Sequence, residues 1–344
     1  MNVELVIMAG GSGTRFWPKS TSKKPKQLLS FGSGGTLLRQ TLDRFDGIVD
    51  RNRRMVVTTQ AIGSAVRAEA HECQVLEEPQ ARNTAPCVYW AAREIAKRDP
   101  RAVMLVMPAD HFIPQLAAYQ ATVRDAIEWA TRHDDLVTLG IKPSRPETGY
   151  GYLKLGSSGK GAQKVEAFVE KPDLKRAEEF LRAGHYQWNG GMFVWRAEVI
   201  LRAFDEYMPE MKRAWESCQG DVARAYPQMT ATSIDFGVME KARNVVSFTL
   251  DCGWDDLGSW PSLEGVAGFL KAQHPAGVVT GGDVVAIESE GNIVDAAGKL
   301  VALLGVDDLI VVDTGPVLLV ARKDRAQDIR KVVEGVKARR PELA

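Results

Sequence analysis

Three glycines, Gly10, Gly11 and Gly13, stand with Ser12 and Thr14 directly ahead of Arg15, and Lys19, Lys23, Lys24 and Lys26 follow within a few residues. Glycine permits positive φ and lets the backbone approach a ligand closely. Consecutive amides in such a turn point inward and form an anion pocket. A glycine loop followed by cations is a device for handling phosphate, and a triphosphate suits it. Two commoner phosphate loops are excluded by spacing. A Walker A loop needs Gly, four residues, then Gly-Lys-Ser/Thr, and no such run is present. The dinucleotide fingerprint needs a third glycine where Phe16 stands. Pro18 and Pro25 stiffen the segment, which a plain strand-to-helix turn does not require.

Further candidates lie far along the chain. Asp110 follows an apolar run, and Asp256 lies in a turn flanked by glycine and tryptophan, Gly253-Trp254-Asp255-Asp256-Leu257-Gly258. Magnesium takes oxygen ligands, commonly one or two carboxylates plus substrate phosphates. Taken singly, each aspartate reads equally as a turn cap. His111 reads as a polar residue packing beneath the turn. Phe168-Val169-Glu170-Lys171-Pro172 ends a strand in an acid and a base, either a second cation site or a solvated strand end. The amide of Asn189, in Trp188-Asn189-Gly190-Gly191, can both donate to and accept from vicinal hydroxyls. The stretch from Glu78 to Pro86 contains Arg82-Asn83-Thr84-Ala85 and reads as a helix entry. A helix start supplies free amides, and Asn83 and Thr84 add side-chain hydrogen-bonding groups beside them.

These residues need element ends to hold them. Residues 3–8 read as a buried strand leading into the glycine loop, with further strands at 54–59, 73–76, 103–107 and 136–140. The 103–107 strand ends at Pro108-Ala109-Asp110. Leu37, Leu38, Thr41, Leu42 and Phe45 recur at helical spacing, and residues 86–97 and 119–130 form helices. This alternation predicts an α/β fold with a Rossmann-like, mixed but mostly parallel sheet. Ligands of such sheets sit beyond the carboxyl ends of the strands. Composition then shifts. Residues 148–155, 164–169 and 191–195 read as strands with glycine-rich joints, and 174–183 as a helix with Asp173 as N-cap and Gly184 past its end. After a strand at 245–250 and the Asp256 turn, short strands at 278, 284–287, 293–295, 300–304, 309–312 and 317–320 precede a helix at 323–337. The expected division is a catalytic domain over 1–265 and a small β-rich module over 266–344, with a short β-helix among its readings.

A chain of 344 residues exceeds what one core usually holds. The formal net charge of zero argues against a nucleic-acid partner bound through counterion release. The four cysteines form no CxxC pair and have no histidine at metal-site spacing, which predicts a reduced, cytoplasmic chain. Glu4 interrupts the first apolar run, so no signal peptide is expected. No apolar run approaches membrane-spanning length, and no membrane partner is expected.

Gly10-Gly11-Ser12-Gly13-Thr14-Arg15, Trp17-Pro18 and Pro25-Lys26-Gln27 together resemble the sugar-nucleotidyltransferases. The resemblance extends to 82–86, 110, 147–152, 168–172, 189–193 and 254–260, and to Lys323 and the 305–310 stretch of the module. Segment 78–86 is similar to the branch that handles guanylyl and mannosyl groups. The resemblance implies transfer of a nucleotidyl group from GTP to α-mannose 1-phosphate, assisted by Mg2+, giving GDP-mannose and pyrophosphate. It implies Gly10, Gly11, Ser12, Gly13, Thr14, Arg82, Asn83, Thr84, Ala85 and Pro108 on the nucleotide, and Arg15, Lys26 and Lys171 as the catalytic cations. It implies Glu147, Gly149, Tyr150, Glu170 and Asn189 on the sugar, and Asp110 and Asp256 on the metal. The family pattern of Trp, any residue, Asp, any residue, Gly selects Asp256 over Asp255. Ser233-Ile234-Asp235-Phe236-Gly237 also resembles the family and reads as a structural turn. The module is expected to join a homodimer. Two other readings are a glucose-1-phosphate nucleotidyltransferase using another nucleotide, which residues 82–85 oppose, and a non-catalytic sugar-nucleotide sensor. A sensor would be expected to lack a cation or a metal acid, and here all are in place.

Overall fold

Continuous apolar runs make strands that are buried on both faces, as parallel sheets require. The structure, a computed structural model, describes residues 2–11, 13–31, 34–158 and 161–344. Its strands are β1 (Val3–Met8), β2 (Arg54–Thr59), β3 (Gln74–Glu78), β4 (Val103–Pro108), β5 (Leu136–Ile141), β6 (Tyr152–Ser158), β7 (Ala162–Val169), β8 (Tyr186–Arg196) and β9 (Val245–Leu250). Among the described residues these form one sheet in the order β3-β2-β1-β4-β8-β5-β9-β7-β6. Pairing is parallel from β3 to β4 and between β5 and β9, and antiparallel around β8 and the β6–β7 hairpin. The sheet is therefore mixed. In the parallel half Met8 pairs with Val57 and Pro108, and Thr59 pairs with Glu78, so Gly10, Glu78 and Pro108 leave from one edge.

The helix Thr84–Ala96 buries Val88, Tyr89, Ala91, Ala92 and Ile95 against this sheet. The Tyr89 ring meets Phe204 at 5.1 Å and Trp215 at 6.0 Å, both edge to face. Those rings belong to the helices Ala197–Tyr207 and Pro209–Ser217, in a stretch with no expected element. The helix Leu174–Ala183 follows expectation. Asp173 accepts a hydrogen bond from the Arg176 amide, and Gly184 takes the left-handed conformation at φ 72°.

A second set of strands, β10 (Gln273–His274), β11 (Gly277–Ile287), β12 (Asn292–Leu304), β13 (Leu309–Asp313) and β14 (Leu318–Arg322), forms a separate sheet in sequential order. The pairs β11–β12 and β12–β13 are parallel, the pattern of stacked β-helix rungs. The short strands expected at 278 and 284–287 are one bent strand, as are those at 293–295 and 300–304. The bend in β11 falls at Gly282, with φ 95°, where a Cβ would meet the Ala296 carbonyl oxygen at 2.5 Å. The terminal helix runs Ile329–Arg339 after a 3-10 stretch, Lys323–Asp328.

The chain forms two compact units. One comprises Met1–Gly10, Arg44–Pro108 and Gln115–Trp254, and holds the large sheet. The other comprises Gly11–Asp43, Ala109–Pro114 and Asp255–Ala344. In the second unit Phe16 and Trp17 share a buried core with Phe31, Trp260, Ile293, Ile310, Val312, Ile329 and Val333. The Phe16 ring lies 5.1 Å from both Phe31 and Trp260. Burying one such side chain contributes about 1.5–3 kcal/mol. The segment after the glycine loop is thus anchored in the core of the carboxyl-terminal sheet.

Candidate active site

The glycine loop turns at Gly13, whose φ of 57° lies in the left-handed region. A Cβ there would fall 2.3 Å from Lys26 Cβ and 2.8 Å from the Lys26 amide nitrogen. Glycine is what lets the loop close on Lys26. Ser20 Oγ donates to the Gly13 carbonyl at 2.7 Å, and Gln27 Nε2 donates to the Gly11 carbonyl at 3.1 Å. Single 3-10 turns, Thr14–Phe16 and Lys26–Leu28, carry Arg15 and Lys26. Ser12, expected on the nucleotide, lies outside the described residues.

Lys26 is 6% exposed, and its Nζ donates to Asp110 Oδ2 at 2.8 Å and to the carbonyl oxygen of Asp256. The two aspartates are brought together by a short antiparallel bridge. The Phe112 amide donates to the Asp255 carbonyl at 2.9 Å, and the Asp255 amide returns to the Phe112 carbonyl at 3.0 Å. The Asp255 carboxylate accepts from the Leu257 amide at 2.7 Å, which holds Leu257 at φ 45°. Asp255 therefore clamps the turn that presents Asp256. A Cβ on Gly258 would lie 3.1 Å and 3.2 Å from the two Asp256 carboxylate oxygens and 3.4 Å from Arg15 Nη1. Arg15, Lys26, Asp110 and Asp256 thus form one group.

Burial pushes the Asp110 carboxyl up, but the Lys26 ammonium, the neighbouring His111 and hydrogen bonds from Lys26 and the backbone outweigh it. The group sits below its ordinary value and is ionised at neutral pH. Its side chain is 36% exposed and open to a ligand, whereas His111 is buried. Among the described residues no three His, Cys, Asp or Glu form a closed metal cage. The Asp110 and Asp256 carboxylates are oxygen donors of the kind a hard divalent ion takes.

The expected sugar residues gather in the other unit. Tyr152 pairs with Val169 on one side and Trp188 on the other, which sets 147–152, 169–171 and 188–189 side by side. Gly149 donates its amide to Glu147 Oε1 at 2.9 Å. The Tyr150 ring stands edge-on to Trp188 at 5.2 Å and Trp254 at 5.4 Å. A Cβ on Gly151 would meet Glu170 Oε2 at 2.7 Å and Asn189 Cβ at 3.6 Å, so Glu170 and Asn189 adjoin. Lys171 takes φ 41°, and its Nζ donates to Glu170 Oε1 at 2.7 Å. Asn189 Nδ2 donates to Asp235 Oδ1 at 2.6 Å, while its Oδ1 accepts from the Gly191 amide at 3.2 Å. Pro108 lies against Gly191, whose Cβ would be 3.9 Å from Pro108 Cγ.

At the helix entry Asn83 takes φ 64°, and its side chain accepts from the Thr84 amide at 2.8 Å. Arg82 Nη1 donates to the Met229 carbonyl at 2.7 Å, and Thr84 Oγ1 accepts from the Ile234 amide at 2.9 Å. The amide of buried Ala85 donates to the Thr232 carbonyl at 3.0 Å. Residues 82–85 are thus tied to 229–234, and much of their polar capacity is engaged in that tie.

Two residues outside the expected set belong to these groups. Glu78, at the end of β3, is buried, and the Tyr226 hydroxyl donates to its Oε1. Its Oε2 would lie 2.8 Å from a Cβ on Gly10. Burial raises the Glu78 carboxyl, and the bond from Tyr226 offsets part of the rise. Asp235 opens a π-helical turn, Asp235–Met239, and its carboxyl is raised by burial against the bond from Asn189. The Ser-Ile-Asp-Phe-Gly stretch flagged Asp235, but its contact with Asn189 spans 46 residues and leaves no local signal.

The chain matches the nucleotidyl transferase family over residues 4–273 and the mannose-phosphate isomerase/GMP-like β-helix domain over residues 282–336. It is 37% identical over 351 residues to the xanthan biosynthesis protein XanB of Xanthomonas campestris, across 97% of this chain and 73% of that protein. It is 37% identical over 358 residues to the mannose-1-phosphate guanylyltransferase of Escherichia coli, with the same shares covered. A solved structure described as mannose-1-phosphate geranyltransferase, from Thermus thermophilus, superposes with a TM-score of 0.91 at 35% identity, covering 98% of this chain and 100% of that one.

Proposed function

We infer the reaction from the premise that this chain belongs to the nucleotidyl transferase family. It joins GTP and α-mannose 1-phosphate to give GDP-mannose and pyrophosphate, by in-line attack of the sugar phosphate oxygen on the α-phosphorus. The observation that carries this reading is Lys26, held beside Gly13 and bonded to both Asp110 and Asp256.

The chemistry needs little proton transfer. A phosphate monoester has a second pKa of about 6, so the attacking oxygen is already anionic at neutral pH. The obstacle is repulsion between two anions, on the order of 4 kcal/mol for unit charges about 4 Å apart near a surface. The protein must supply positive charge and alignment. The amides of Gly10, Gly11, Gly13 and Thr14 receive the triphosphate. Arg15 steadies the β- and γ-phosphates and the departing pyrophosphate. Lys26 takes up charge developing on the α-phosphate. Lys171 orients the sugar phosphate, Glu170 and Asn189 take sugar hydroxyls, and Glu147, Gly149 and Tyr150 shape the sugar loop. Asp110 and Asp256 would hold Mg2+, which would supply positive charge against the phosphates.

The loop 82–85 and Pro108 border the base. Glu78 suits guanine, because a carboxylate accepts from both donor groups of its pairing edge. We assign residues 1–265 to catalysis and 266–344 to a module that joins a homodimer. The exposed apolar residues Val285, Ile287, Leu300, Leu304, Leu318 and Val320 on its strands support that assembly. Free thiols at Cys73, Cys87, Cys218 and Cys252 support a cytoplasmic setting. No described helix is long and apolar enough to cross a membrane.

The test is pyrophosphate release and product identity across nucleotide and sugar 1-phosphate pairs, with and without Mg2+. GDP-mannose from GTP and mannose 1-phosphate should dominate. Preference for another pair removes the reading, and GDP-mannose binding without pyrophosphate release would favour a sensor.

A further inference from the structure

We propose that Asp295, on strand β12, is a positioning residue for the nucleotide loop, acting through Lys19. The proposal rests on the nucleotidyl-transfer reading above. Lys19 Nζ donates to Asp295 Oδ2, across 276 residues of sequence, and lies 5.7 Å from the Phe31 ring centroid. The same carboxylate oxygen accepts from Thr280 Oγ1 at 2.9 Å, so neighbouring β11 braces Asp295 independently of Lys19. The Asp295 side chain is 7% exposed and that of Lys19 is 27% exposed. A carboxylate so withdrawn from water needs a partner, and Lys19 is an ionic one.

The pair is linked to the reacting groups by short steps. Lys19 donates its amide to the Phe16 carbonyl at 2.9 Å, and Ser20 does the same at 3.0 Å. Ser20 Oγ then holds the Gly13 carbonyl, and Gly13 lies against the backbone of Lys26. Arg15 precedes Phe16 in the same 3-10 turn. A second tether runs from Trp17 Nε1 to the Leu343 carbonyl at 2.8 Å. The module that carries Asp295 has no phosphate-binding residue of its own in the reading above. Its contribution is to hold the loop in the register that brings Arg15 and Lys26 to the nucleotide. Geometry of this kind is demanding, since a misplacement of about 1 Å can reduce rate by on the order of 100-fold.

The test uses the full chain with Asp295→Asn, Lys19→Met, Lys19→Arg and the Asp295→Asn/Lys19→Met double variant. Circular dichroism establishes that each is folded, and Lys19, being partly exposed, offers a substitution that folds if Asp295→Asn does not. The expected result is a fall of about 10- to 100-fold in kcat/KM for GTP in Asp295→Asn and Lys19→Met. The KM for GTP should rise while that for mannose 1-phosphate stays within twofold. The double variant should be no worse than either single one, and Lys19→Arg should retain most activity. Loss of folded protein alone would lower kcat and leave both KM values unchanged, and that pattern overturns the proposal. So does a folded Asp295→Asn within twofold of wild type, or a double variant whose losses multiply. A wild-type protein that releases no pyrophosphate from GTP overturns the underlying reading, and the proposal with it.

Discussion

Lys26 Nζ stands 2.8 Å from Asp110 Oδ2 and also donates to the carbonyl oxygen of Asp256, so a single ammonium ties together the two aspartates assigned to the metal. Those aspartates are far apart in sequence, and the bridge between Phe112 and Asp255 sets them in register. Lys26→Ala removes both the charge proposed to meet the α-phosphate and a partner of Asp110. Removing one preorganised electrostatic group costs about 3–4 kcal/mol of barrier, or on the order of 100- to 1,000-fold in kcat. Single-turnover measurement of GDP-mannose formation should show that loss. A rate within tenfold of wild type would contradict the role.

Gly13→Ala should be more damaging than Gly258→Ala. At Gly13 the new methyl would collide with Lys26 backbone and Cβ atoms at a φ of 57°. The left-handed conformation alone costs a non-glycine residue about 1–2 kcal/mol. At Gly258 the nearest atoms are the Asp256 carboxylate and Arg15 Nη1 at 3.1–3.4 Å, which belong to side chains. Denaturant melts of both variants would separate them, with the larger shift in midpoint at Gly13.

Glu78→Gln should gain stability and lose guanine selectivity. Burial holds the Glu78 carboxyl above its ordinary value of 4.5. The folded protein therefore binds that proton more tightly than the unfolded chain does. Stability is lost as pH rises from the ordinary value through the folded one, and the deficit is constant above it. The Tm advantage of Glu78→Gln should be absent in acid, widen as pH rises above the ordinary carboxylate value and level off once the folded carboxyl has ionised. If the advantage is the same in acid as at neutrality, the carboxyl is not shifted in this sense.

Asn189→Ala and Asp235→Ala should share a phenotype, because Asp235 Oδ1 fixes the Asn189 amide at 2.6 Å. Losing a well-made hydrogen bond costs about 1 kcal/mol, and leaving a part-buried partner unpaired adds to that, up to about 3 kcal/mol. The KM for mannose 1-phosphate should rise roughly 5- to 100-fold in both, with the KM for GTP little changed. A variant of Asp235 with an unaltered sugar KM would separate the two residues.

Leu304 and Leu318 are 71% and 62% exposed on the carboxyl-terminal strands. Substituting both with glutamate should leave the monomer fold intact, because neither is in its core. If the proposed homodimer forms through these strands, sedimentation should show it replaced by monomer. An unchanged sedimentation coefficient would place any dimer contact elsewhere.

What the sequence discloses depends on the range of the interaction. The helix Leu174–Ala183 is legible to the residue because its cap, Asp173, and its stop, Gly184, are local. The glycine loop is legible for the same reason, since Gly13 and Lys26 lie close in the chain. Residues 197–217 carry no expected element, although Val199, Ile200, Ala203 and Phe204 recur at helical spacing. Pro209 looks like a breaker there, yet it opens the second helix at its first turn. In the carboxyl-terminal sheet the sequence reads as short separate strands, but stacked parallel neighbours carry the pairing past Gly282. The Asn189–Asp235 contact and the packing of Phe16 on Trp260 and Ile293 are set by tertiary structure alone.

The packing of Phe16 also orders events during synthesis. This ring leaves the ribosome long before Trp260, Ile293 and Ile310, which enclose it, have been translated. The glycine loop next to it therefore lacks its supporting wall while the large sheet is already able to assemble. Nascent chains and prematurely terminated products would be catalytically silent, and competence would arrive only with the last strands.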